Sequence, residues 1–201
     1  MKRVSILFCV LFIIILSFPV TGLADGKKGG YALLKAGAFF PTEDLDDADF
    51  DTGFGGELVL GTYYNPNLAL ECGIGYYQTD RSVRFQDIKE EDDLFIIPIT
   101  ANIKGVLPLR GVELFGGGGF GVYYVHIDAD VSGSNLADIG DDDDSDVVLG
   151  AHVMAGANVD ISRKIFLGIE AKYIFTDDAD LFRSDVNLDG FVLTGSIGYR
   201  F

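Results

Sequence analysis

From residue 190 to the end of the chain, polarity changes at every step. Odd positions read Phe191, Leu193, Gly195, Ile197, Tyr199 and Phe201; even positions read Val192, Thr194, Ser196, Gly198 and Arg200. Successive side chains on a strand point to opposite faces, so one face of this segment is greasy and the other small or polar. Residues 165–175 repeat the pattern, with Ile165, Leu167, Ile169, Ala171, Tyr173 and Phe175 set against Phe166, Gly168, Glu170, Lys172 and Ile174. The same texture recurs along the chain between clusters of turn-forming residues. It predicts eight strands, at about 31–40, 53–64, 68–79, 94–105, 112–126, 147–159, 165–175 and 190–201.

The predicted connections alternate in length. Asn65-Pro66-Asn67, "VLPLRG" and "DISRK" are short; 41–52, 80–93, 127–146 and 176–189 are long. Every tight turn then falls at one end of an up-and-down sheet and every long loop at the other, as in transmembrane barrels. The faces point the same way. Between its glycines the minor face carries single, balanced charges: Lys35, Glu57, Glu71, Lys104, Glu113, Glu170, Lys172 and Arg200. A solvated surface carries denser charge, so this face reads as a narrow lumen. Lys35, Glu57, Glu71, Lys104, Glu170, Lys172 and Arg200 are expected to form an interior ion network. Aromatics collect near strand ends (Phe39, Phe40, Tyr63, Tyr64, Tyr76, Tyr77, Tyr123, Tyr124, Tyr173, Phe175, Tyr199, Phe201), which suits girdles at two membrane interfaces. Hydrocarbon offers no partner to an unpaired N–H or C=O, so a spanning sheet must close. The predicted fold is therefore all-β, an eight-stranded antiparallel up-and-down transmembrane β-barrel, with an interior filled by side chains.

The start of the chain reads as an address. Lys2 and Arg3 precede an apolar run, Val4 to Val20, and Gly22 and Ala24 supply small residues at a cleavage site. This predicts a signal peptide over 1–24, a short linker over 25–30 and the barrel domain over 31–201. Residues 25–201 hold 13 basic and 31 acidic side chains, which argues against nucleic acid as a partner. Cys72 is the one thiol left after cleavage, so no internal disulfide forms. The four long connections hold 25 of the 31 acids. Carboxylates are the oxygen ligands calcium prefers, and Asp185, Asn187 and Asp189 match the first half of a calcium-loop pattern. The closing Glu is replaced by Ser196, so the candidate is weak and Ca²⁺ is the one cofactor considered.

Gly116–Gly121 spells G-x-G-x-x-G, but no helix follows it, and a dinucleotide loop requires one. The glycines are expected to give space beside large neighbours. His126 and His152 fall on opposite faces of their strands. With near-symmetric pairing Gly121, not His126, lies opposite His152, and no serine can be placed beside His152 to complete a nucleophilic set. No catalytic or cofactor-binding residue is assigned, and the chain is not expected to be an enzyme.

The leader, the eight strands, the alternating connections and the ending "LTGSIGYRF" together resemble the small outer-membrane β-barrel proteins of Gram-negative bacteria, the OmpX/OmpA/OmpW type. Leu193, Ile197, Tyr199 and Phe201 are similar to the signal read by the barrel assembly machinery, although Gly195 is small where a large apolar residue is common. The resemblance implies an integral protein of the outer membrane, with lipid and that machinery as partners, and a monomer is expected. The role anticipated is a scaffold presenting acidic loops for adhesion, envelope integrity or cation contact. The alternatives are a passive route for small or apolar solutes and, third, a lipid-modifying enzyme.

Overall fold

The computed structural model describes residues 29–42, 52–85, 88–133, 142–177, 179–181, 184–186 and 188–201. The expected signal peptide and most of the linker lie outside the described residues, as does Asn187. The strands are β1 (Gly30–Pro41), β2 (Gly53–Asn65), β3 (Leu68–Phe85), β4 (Ile88–Leu109), β5 (Val112–Gly133), β6 (Asp142–Asp160), β7 (Ile165–Thr176), β8 (Ala179–Leu181), β9 (Ser184–Val186) and β10 (Gly190–Arg200). Eight of them close a barrel in the order β1-β10-β7-β6-β5-β4-β3-β2, every neighbour antiparallel. β8 and β9 form a separate two-stranded hairpin in the last long connection.

Local chemistry sets the tight turns. Asn67 N–H donates to Asn65 Oδ1 at 2.8 Å, an Asx turn around Pro66. Gly111 sits at φ 81°, a left-handed conformation that a side chain would oppose. Ser162 Oγ accepts from Ile165 N–H at 3.0 Å in the β6–β7 turn. These three turns share one end of the barrel with both ends of the barrel chain, where Phe201 N–H donates to Gly30 O at 3.1 Å.

At the other end the observed strands overrun the predicted ones. β3 and β4 stay paired out to Phe85↔Ile88, and β5 and β6 out to Ala129↔Asp142. Much of the stretches 80–93 and 127–146, expected as loops, is therefore strand. Apolar alternation marks only where a strand crosses lipid; beyond the bilayer the ladder continues while the side chains turn acidic. β4 also runs through Pro98. Its missing N–H breaks the β3–β4 ladder between Ile74↔Ile99 and Tyr77↔Ile96, and Gly75 stands across from the proline ring.

Face parity is strict. Leu34, Leu58, Ile103, Leu149, Ile169 and Ile197 point outward and are 51–60% exposed. A soluble monomer does not expose an apolar band of this kind. The inner face carries three tiers. Toward the long connections lie Phe39, Tyr77, Leu94, Ile96, Tyr123, Val125 and their neighbours. Toward the tight turns lie Tyr31, Leu33, Val59, Tyr63, Val106, Phe115 and Phe166. Buried polar and charged residues stand between them.

The girdle reading needs one correction. Phe39, Tyr63, Tyr77 and Tyr123 point inward and are buried, while Phe40, Tyr64, Tyr76, Phe175, Tyr199 and Phe201 are exposed outside. The pairs Phe39-Phe40, Tyr63-Tyr64, Tyr76-Tyr77 and Tyr123-Tyr124 are adjacent in sequence, so a period of two sends one member of each pair inside.

A charge placed midway up the outer wall tests the placement of lipid. Ile169→Lys is expected to lower folding stability in lipid vesicles by about 2–4 kcal/mol. Reversible urea titration measures it, and an unchanged midpoint would mean that this face does not meet hydrocarbon.

Candidate functional site

The middle tier is built from six inward positions on five strands. β1 supplies Lys35, β2 Glu57, β3 Glu71, β4 Lys104, and β7 both Glu170 and Lys172. Each is at most 4% exposed. Lys35 Nζ lies 2.7 Å from Glu170 Oε1 and 3.4 Å from Glu57 Oε2. Lys172 donates to Glu57 Oε1. Lys104 Nζ lies 2.8 Å from Glu170 Oε2 and 2.9 Å from Glu71 Oε2. The six form one chain of alternating sign, Lys172–Glu57–Lys35–Glu170–Lys104–Glu71, with no net charge. Lys35 and Glu57 face each other on adjacent strands. The bonds to Glu170 instead span the interior, because β7 is neighbour to neither β1 nor β4 in the barrel order.

Tyrosines cap the outlying carboxylates. Tyr31 Oη donates to Glu71 Oε1 at 2.7 Å, and Tyr77 Oη to Glu57 Oε1 at 2.6 Å. Arg200 stands in a second cluster nearer the tight turns. Its Nη2 lies 3.0 Å from Glu113 Oε2 and its Nη1 2.6 Å from Asp160 Oδ1, and Tyr63 Oη donates to Glu113 Oε2 at 2.9 Å. The Arg200 guanidinium also lies 4.1 Å from the Phe166 ring centre. Asp160 and the three tyrosines were not anticipated as network members. For Tyr63 and Tyr77 the doubled aromatics carried the signal, since one residue of each doublet has to face the lumen; Tyr31 and Asp160 carried no such mark.

His152 is buried beside this tier. Asn102 Oδ1 lies 2.6 Å from its Nε2, and Tyr123 Oη 3.3 Å from its Nδ1. Since Oδ1 can only accept, Nε2 carries the proton and Nδ1 accepts from the tyrosine. Both ring nitrogens are thus occupied, and neither is left to activate a nucleophile. His126 lies on the outer face, stacked on Phe95 with ring centres 6.4 Å apart. The residue opposite His152 is Gly119 rather than Gly121, because the β5–β6 ladder is displaced by two residues from symmetric pairing. A side chain at Gly119 would meet Asn102 Oδ1 at 2.3 Å and His152 Nε2 at 2.9 Å. The run of glycines in β5 makes room for this group.

At the long-connection end, Asp189 is buried, and its Oδ1 accepts from Thr176 N–H at 2.8 Å. Thr42 N–H donates to Asp189 O at 3.0 Å, which ties the last connection to β1. Asp185 pairs with Asp180 in the β8–β9 hairpin. Among the described residues no group of three or more His, Cys, Asp or Glu is arranged to hold a metal ion. Leu193, Ile197, Tyr199 and Phe201 all lie on the outer face of the last strand, 41–57% exposed.

A closed eight-stranded antiparallel barrel, greasy outside and ion-paired within, defines an integral membrane β-barrel. The chain belongs to the outer membrane protein beta-barrel domain family, which it matches over residues 10–201. It is an integral protein of the outer membrane. Its fold is similar to that of Neisserial surface protein A, with TM-score 0.60 and 16% identity over 88% of this chain and 100% of that one. It is also similar to Ail, the attachment invasion locus protein of Yersinia pestis, at 0.53 and 15% over 88% and 100%. The outer membrane protease OmpT of Escherichia coli gives 0.51 and 8% over 90% and 100%. At these identities the likeness is one of fold. No curated protein sequence matches the chain.

The interior chain makes a stability prediction. Glu170→Gln leaves Lys35 and Lys104 without their shared counter-charge and is expected to cost about 3–5 kcal/mol in detergent or vesicle unfolding. Adding Lys35→Met to the same chain leaves the pairs Lys172–Glu57 and Lys104–Glu71 intact and should recover part of that loss. A neutral single variant would mean that water reaches and screens the tier.

Proposed function

We propose that the protein is a non-enzymatic scaffold of the outer membrane whose acidic rim acts through divalent cations. One observation carries this reading. Asp80, Asp93, Asp128 and Asp143 occupy a single register row across β3, β4, β5 and β6. Like charges on directly opposed positions repel, and neighbouring strands are only about 4.8 Å apart. Ca²⁺ or Mg²⁺ ions drawn loosely to the row, rather than seated in a ligand cluster, offset that repulsion. The row lies just beyond the apolar band, at the level where the lipid surface begins. A cation held there reaches the phosphate groups of outer-leaflet lipid as well as the carboxylates, so the rim clips the barrel to its lipid and contributes to envelope integrity.

The same charge argues about partners. Ail has been solved with the heparin analogue sucrose octasulfate, a polyanion. The acidic rim of this chain repels such a ligand in the absence of cations, so direct adhesion to a polyanion is disfavoured. The interior supports a scaffold over a passive channel, because apolar tiers lie on both sides of a neutral ion chain. The occupied ring nitrogens of His152 speak against the third reading, a lipid-modifying enzyme. The hydrogen bond that Asp189 accepts from Thr176 favours an anchoring role for it over a calcium site with Asp185 and Asn187. A monomer whose last strand presents Leu193, Ile197, Tyr199 and Phe201 to the assembly machinery completes the reading.

Calcium titration of the full chain in vesicles, followed by limited proteolysis, tests the rim. Calcium at millimolar levels is expected to slow cleavage of the tall hairpins, and Asp80→Asn with Asp93→Asn to raise the concentration needed. Cleavage unchanged by calcium would sink the cation reading. In planar bilayers the protein is expected to give no steady single-channel steps; regular steps would favour the solute route instead.

A further inference from the structure

The charges of the two barrel ends are sorted by sign, and the tight-turn end has a chemistry of its own. Apart from the interior cations and the four bases of the long connections, the bases of residues 25–201 are Lys27, Lys28, Arg110, Arg163 and Lys164. The last three stand on two tight turns and are exposed. Those turns are fixed side by side, since Asp160 N–H, at the end of β6, donates to Gly111 O at 3.0 Å. A further bond, Arg200 N–H to Lys164 O at 2.7 Å, ties the second turn to the last strand. Two acids nearby, Asp160 and Glu113, are both engaged with Arg200.

The cations also sit on an apolar footing. Leu109, Ile161 and Phe201 are 48%, 61% and 57% exposed at the same rim. Lys164 Nζ donates to Tyr199 Oη at 3.2 Å and lies 5.4 Å from the ring centre. Tyr199 is on the lipid-facing side of β10, so its hydroxyl marks the level at which hydrocarbon gives way to headgroups. Lys164 is held at that level by its contact with the Tyr199 hydroxyl and ring.

We propose that Arg110, Arg163 and Lys164 form a headgroup site for anionic phospholipid of the inner leaflet, with Tyr199 setting its depth. The phosphodiester takes charge-assisted hydrogen bonds from the guanidinium and ammonium groups, while the acyl chains lie against Ile161, Phe201 and the outer wall of β6 and β7. The acidic opposite rim repels the same headgroup, so a single lipid class distinguishes the two ends. The proposal rests on the membrane placement of the barrel and is independent of cation binding at the acidic rim.

Native mass spectrometry of the full chain, refolded in detergent and mixed with equal amounts of phosphatidylglycerol and phosphatidylcholine, reads the preference directly. Wild-type protein is expected to retain phosphatidylglycerol selectively. Each of Arg110→Gln, Arg163→Gln and Lys164→Gln should lower that preference about fivefold, the effect of one cation near an anionic surface. The triple variant should lose it, and high salt should mimic the loss. Heat-modifiable gel migration checks that each variant is folded. Equal retention of the two lipids by wild-type protein, or an undiminished preference in the folded triple variant, would overturn the proposal. If calcium removal abolished the preference while the triple variant kept it, the lipid would be bound at the acidic rim instead, which also overturns it.

Discussion

A peptide group in hydrocarbon has no water to bond with, and an unpaired one costs several kcal/mol. The ladder that runs from β1 through β10 around the barrel and back to β2 answers this requirement. Closure leaves no edge strand inside the membrane, and everything else in the molecule is arranged around it. The ladder is irregular where the β2–β3 register shifts between Tyr63 and Asn65, and at Pro98, where Gly75 on the facing strand lets the proline ring pack inward against the wall.

Closing only eight strands makes the inner space narrow, and this fixes the chemistry of the inner face. Large side chains fit where the neighbouring strand has none. Phe115 lies over Gly156, Phe166 over Gly198 and Tyr31 over Gly61, each at a distance where an added Cβ would collide with the ring. Charges enter the same space only in balanced form. Three lysines and three glutamates alternate in sign, so each interior carboxylate meets at least one ammonium, and the hydroxyls of Tyr31 and Tyr77 take up further lone pairs. Such a chain is weak evidence for net stability against an apolar filling of the same volume. It is strong evidence for specificity, because a one-residue slip at any of these strands would turn its charge into lipid.

The faces of the wall were readable from the sequence because the period is two and lipid enforces it. Leu193, Ile197 and Ile169 declared the outside, and Glu170, Lys172 and Arg200 the inside, without any knowledge of strand order. Three features were not readable, each for a physical reason. The upper parts of β3 to β6 leave the membrane, so their acidic composition imitates a loop although their backbone pairing does not change. The offset of β5 against β6 depends on where a long hairpin turns, and polarity does not mark that point; hence Gly119 rather than Gly121 faces His152. Finally, Lys35 and Glu170 meet across the interior, as do Arg200 and Glu113. Such contacts depend on the tilt and stagger of the closed sheet, which no single strand encodes.

The distribution of charge along the barrel axis follows from the same constraint. The interior admits only balanced ions, and the outer wall admits almost none, so the excess charge of the chain is confined to the two rims. Tight turns have few positions to offer, and here Arg110, Arg163 and Lys164 take three of them. The long hairpins have many, and they carry the acids. A barrel with these rims has an electrical direction across the membrane as well as a topological one. On the reading proposed above, the basic rim meets anionic headgroups directly while the acidic rim needs an intermediary of opposite sign. This asymmetry makes cation dependence a property to expect of one end of the molecule and not of the other.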